Sequence, residues 1–145
     1  MFELDALNRS ILDNIHEGAY ILDNNKIITY WNKSAERITG YTFNEVVGKC
    51  CKDDVLTHFN EQGVNLCNGL CPVSMTLSTG VIETCDAYLS HKEGYSVPVS
   101  ISVIPVKNAA GHTISAIQIF TDNQQKNLSS EKKRPKLGTK NFMYA

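Results

Sequence analysis

The spacing of apolar and polar residues changes several times along this chain, and each change marks an element. Leu4, Leu7, Ile11, Leu12 and Ile15 recur at helical spacing between Asp5, Asn8, Arg9 and Asp13, which predicts an amphipathic helix within residues 1–17. Gly18 follows as a stop. Ala19 to Leu22 and Ile27 to Trp31 are short apolar runs joined by Asp23-Asn24-Asn25-Lys26, a hairpin pattern. Asn32 suits an N-cap, because its side chain can accept from an orphan amide of the next turn, so a short helix is expected from Lys33 to Thr39, ending at Gly40. Thr42 with Glu45 forms a capping-box pattern for another short helix ending near Gly48. Pro72 suits the first turn of a third, running to about Ser78 with Gly80 as its stop.

Beyond Gly80 the period falls to two. Val81, Glu83, Cys85, Ala87 and Leu89 share one strand face, and Ile82, Thr84, Asp86 and Tyr88 the other. After the turn His91-Lys92-Glu93-Gly94, Val97, Val99, Ile101 and Val103 alternate with serines as a half-buried strand. The turn Ala109-Ala110-Gly111-His112 leads to a last strand, Thr113 to Thr121. A hairpin separated by short helices from a three-strand meander predicts an α+β domain: one five-stranded antiparallel sheet with the helices on one face. The expected division is a helix over 1–17, a domain over 18–122 and a polar basic tail or linker over 123–145, where KNLSSEKKRPKLGTK carries six Lys or Arg. The apolar stripe of the first helix is either a dimer surface or packs on the domain's own sheet.

Length and charge narrow the function. A chain of 145 residues fits one domain with tails. Formal net charge is -1 and charged residues make up 20%, so no bulk attraction to nucleic acid or anionic lipid is expected. No apolar run approaches the roughly 20 residues of a membrane span. The N-terminus has no basic segment followed by an apolar block, so it is not a secretory signal and the chain is read as cytoplasmic. In that compartment five cysteines suggest thiols or metal ligands before structural disulfides.

Four of those cysteines fall between Gly48 and Pro72. Cys51, His58, Cys67 and Cys71 are separated by six, eight and three residues. Three soft thiolates and an imidazole match a tetrahedral zinc site, and three cysteines with one further ligand suit an iron–sulfur cluster. Thiol chemistry competes with both. Pro72 places Cys71 at a helix start, a position that favours reactive thiolates, so a redox pair among Cys51, Cys67 and Cys71 stays open. A third reading makes all of them reduced, small apolar residues. Cys50 is spare, and Cys85 is read as core. No phosphate loop, nucleophile elbow or HExxH is present, and the Asp53-Asp54 pair has no acid–base partners in the sequence, so catalysis is not expected.

The order of elements, with Asp23 and its turn, Ile27 to Asn32, Ala35 to Tyr41, Glu45 to Gly48, His91 to Gly94, Val97 to Val99 and Gly111 to Ala116, resembles a PAS sensory domain over roughly Ile11 to Gln124. Cys51 to His58 and Leu66 to Pro72 resemble a recurring cysteine-rich subgroup of that family. The resemblance implies the sensory input domain of a bacterial signalling protein, such as a histidine kinase, a diguanylate cyclase or a transcription activator. The output domain would be absent from this chain, and the expected partner is a second copy, joined through the N-terminal helix. Light-sensing flavin members carry a cysteine where Cys51 stands, but Lys52, Asp53, Asp54 and Val55 depart from their pattern. Covalent haem needs Cys-x-x-Cys-His, which is missing, and His58 is the only candidate axial ligand for non-covalent haem. Flavin and haem are therefore disfavoured against zinc or an iron–sulfur cluster. A ligand-free protein–protein dimerisation module and a small-molecule receptor are the alternatives.

Overall fold

Capping chemistry sets the first half of the chain. Asp5 accepts a hydrogen bond from the Asn8 amide at 2.9 Å and starts helix α1, Ala6–Asn14. Strands β1 (Gly18–Asp23) and β2 (Ile28–Trp31) pair as the expected hairpin. Asn32 then caps helix α2, Lys33–Thr39, which ends at Gly40 in the left-handed region (φ 81°), and a Cβ there would press on the His91 ring. The capping box of Thr42 and Glu45 forms as read and opens helix α3, Phe43–Val46. The computed structural model describes residues 5–50, 58–66 and 71–123. Leu4 and all of the tail except Asn123 lie outside that set.

The second half follows the alternation. Strand β3 is His58–Phe59, helix α4 is Pro72–Thr79 with Gly80 as its left-handed cap, and β4 (Glu83–Ser90), β5 (Ser96–Lys107) and β6 (Thr113–Asp122) form the meander. One antiparallel sheet results, in the order β2-β1-β6-β5-β4-β3. It has six strands against the five expected. The extra one is too short to show a period; it exists because His58 and Phe59 pair with Leu89 and Tyr88 at the sheet edge, and the Phe59 and Tyr88 rings stack at 6.0 Å.

Aromatic rings fill the core where β1, β2 and β6 meet. Tyr20, Trp31 and Phe120 form an aromatic cluster with ring centroids 5.2 to 6.4 Å apart, all three essentially fully buried. Asn32, also fully buried, ties this end together: its Oδ1 accepts from Ala19 N and Ala35 N, and its Nδ2 donates to Leu12 O and Glu17 O. One side chain thus links α1, the segment after it, β1 and α2. The apolar stripe of α1 divides: Leu12 and Ile15 are half-buried, whereas Leu7 is 70% and Ile11 53% exposed.

Candidate functional site

The helical face of the sheet encloses a small void. Five strands each send one side chain to its wall: Tyr20 from β1, Gln118 from β6, Ile101 from β5, Cys85 from β4 and His58 from β3. Register explains the row, since Tyr20 pairs with Gln118 and Ile101 with Cys85 across neighbouring strands. Helix α4 closes the other side with Cys71, Pro72 and Val73. The fully buried Thr76 holds that helix down, its hydroxyl reaching the Val103 carbonyl at 3.5 Å. The void measures about 20 Å³, space for roughly one water molecule.

Its wall is chemically unlike the rest of the core. His58 and Gln118 are both buried, and Gln118 Nε2 lies 3.2 Å from His58 Nε2. With the amide so placed, Gln118 Nε2 donates and His58 Nε2 accepts, which requires the imidazole proton to sit on Nδ1; the flipped amide would instead accept from a proton on His58 Nε2. Burying two such groups costs less because each answers the other. Cys71 is buried at the N-cap of α4, where its side chain makes no capping hydrogen bond. Cys85 is half-buried, and burial pushes its thiol pKa up, with smaller contributions from the charges of Asp86 and Cys71. Neither Cys71 nor Cys85 is in a disulfide.

Of the expected ligand set, His58 and Cys71 meet at this void. Cys51 and Cys67 lie outside the described residues, and so does the stretch that would compare with flavin-binding members. Cys50 bridges Ile27 at the β2 edge and does not line the void. Among the described residues, no group of three or more His, Cys, Asp or Glu is placed to hold a metal ion. His91 stacks on Tyr95 at 4.3 Å and accepts from the Glu93 amide, and His112 is exposed in its turn, so neither approaches the void. Two contributors escaped the sequence reading. Gln118 is a polar residue in phase with the buried Ala116 and Phe120, a signal that alternation alone could have flagged. Cys85 looked like core because its strand neighbours Ala87 and Leu89 are core.

A curled antiparallel sheet with short helices on one face and a small hollow between them defines a class. The chain belongs to the PAS domain family, whose model matches residues 16–125. Among solved structures it is similar to the PAS domain of a protein from Colwellia psychrerythraea, at 18% identity and a TM-score of 0.65, over 81% of this chain and 97% of that one. It is also similar to the PAS domain of nitrogen regulation protein NR(II) from Vibrio parahaemolyticus, at 18% identity and a TM-score of 0.63, over 81% and 99%. An RNA-binding Light-Oxygen-Voltage receptor matches at 20% identity and a TM-score of 0.66, over 86% of this chain but 36% of that one. At these identities the likeness is one of fold. No curated protein matches the chain in sequence. No helix among the described residues is long and apolar enough to cross a membrane.

Proposed function

We propose that this chain is the sensory input domain of a bacterial signalling protein, and that its signal is received at the void lined by His58, Cys71, Cys85 and Gln118. One observation carries the reading: an imidazole, an amide and two thiols are gathered in a core whose other walls are aliphatic and aromatic. Packing alone does not call for them, and a buried polar cluster costs stability that an apolar core would keep. The void's size suits a very small signal, a single soft ion or an oxidant acting on sulfur, more than a planar cofactor. Zinc or iron would take His58 and Cys71 as ligands, with Cys51 and Cys67 as the further pair in this reading.

The output would be a histidine kinase, a diguanylate cyclase or a transcription activator, and the partner a second copy meeting the exposed Leu7 and Ile11 of α1. Metal analysis and a visible spectrum of protein prepared without oxygen test the receiver. Stoichiometric zinc or iron, lost in Cys71→Ser, supports a metal signal. Absence of metal, with hydrogen exchange in β6 unchanged by oxidant, would overturn the reading and leave a ligand-free dimerisation module. An organic molecule co-purifying in a native mass spectrum would make it a small-molecule receptor instead.

A further inference from the structure

The cysteine-rich stretch directs attention to pairs within itself, yet the structure gives Cys71 a different neighbour. Cys71 stands at the start of α4 and Cys85 midway along β4, and both line the same void of about 20 Å³. Neither is in a disulfide. The Cys71 side chain is not occupied by capping its helix. Cys50, by contrast, belongs to the opposite edge of the sheet, beside β2.

We propose that Cys71 and Cys85 are a redox pair, joined into a disulfide by a hydroperoxide, and that the bond locks α4 onto the sheet. Cys85 is the more exposed residue of the two, so in this scheme it meets the oxidant first. As thiolate it attacks the peroxide O–O bond and takes one oxygen, becoming a sulfenic acid; the other oxygen leaves as hydroxide and is neutralised to water by the proton Cys85 gave up. The Cys71 sulfur then attacks the Cys85 sulfur, the S–O bond breaks, and a second water leaves with the Cys71 proton. Two thiols and one hydrogen peroxide thus become one disulfide and two waters, the O–O bond taking the two electrons.

The device would serve the sensory reading above, but its chemistry stands apart from it. The test is peroxide treatment of the intact chain, capping of remaining thiols with N-ethylmaleimide, and peptide mapping by mass spectrometry. The expected result is a Cys71–Cys85 linked peptide, with simultaneous loss of maleimide at both residues. It persists when Cys50, Cys51 and Cys67 are all serine, and Cys85→Ser abolishes it. A link from Cys71 to Cys51 or Cys67 with Cys85 still alkylated, or five alkylatable thiols after peroxide, overturns the pair. Hydrogen exchange along β6 separates the two ideas. A linked pair with unchanged exchange keeps the disulfide and removes this signal from the sensory reading, while bound metal without the link does the reverse.

Discussion

The two ends of the core differ in what they ask of their residues. At the end shared by β1, β2 and β6, three aromatic rings fill the space and Asn32 has four hydrogen-bond partners, two accepted and two donated. At the end shared by β3, β4 and α4, a histidine and a glutamine answer each other beside two unbonded thiols. The first arrangement has one good solution and little reason to change. The second holds groups that ions and oxidants can engage, in a wall partly built from a two-residue edge strand. The aromatic cluster and the polar part of the void wall thus adjoin on one sheet, with Tyr20 belonging to both.

Substitutions can break this contrast. The largest effect is expected from Asn32→Ala, which leaves two amides and two carbonyls from separate segments without their partner; urea unfolding should show a loss of about 3–5 kcal/mol. Next is Gly18→Ala. Its Cβ would overlap the Phe120 ring, which is fully buried between Tyr20 and Trp31 and has nowhere to go. Overpacking of this kind costs about 1–3 kcal/mol, readable as a lowered thermal midpoint.

Tyr30 gives a pH-dependent test at the same end. Burial and then its hydrogen bond with Asp13 raise its pKa to about 12. The unfolded phenol ionises near pH 10, so the contribution is whole below that value and is lost as pH rises toward 12, at up to about 1.4 kcal/mol per pH unit. Tyr30→Phe should flatten that alkaline limb in a series of unfolding curves.

At the sulfur end the expected effects are smaller in stability and larger in consequence. A double-mutant cycle of His58→Leu and Gln118→Leu should give a coupling of about 1 kcal/mol, with the double variant more stable than the sum of the singles implies. Additive losses would mean the two side chains do not depend on one another. The smallest change is expected for Lys92→Met. The ion pair of Lys92 with Glu45 ties the turn before β5 to α3, and hydrogen bonding to Lys92, followed by the Thr42 amide, holds the Glu45 carboxyl below its usual range. That contribution is present above the unfolded pKa and disappears as pH falls through the lower folded value. The variant should therefore lose a little stability at neutral pH and almost none in acid.

The two ends also differ in how far the sequence reveals them. Asn32, the Thr42–Glu45 box, Gly40, Pro72 and Gly80 act on amides and carbonyls within a few residues of themselves, so their effects could be read locally. The alternation of Val97, Val99, Ile101 and Val103 likewise named its own buried face. The void could not be read in this way. His58 and Gln118 are 60 positions apart, and their meeting depends on how three intervening strand pairings accumulate in register. Crowding of cysteines in sequence pointed to Cys71 but not to Cys85, which shares the void wall with it only through the packing of α4 on the sheet. The β3 strand escaped because two residues carry no period.

Gln118 has one more implication. It lies in β6, flanked by Tyr20 of β1 and Val103 of β5, and the same strand runs on to Asp122. Four residues of extended chain span about 13 Å. Whatever tugs on that amide is therefore a single short, taut line away from the point where the polypeptide leaves the sheet, and needs no relay through the helices to be felt there.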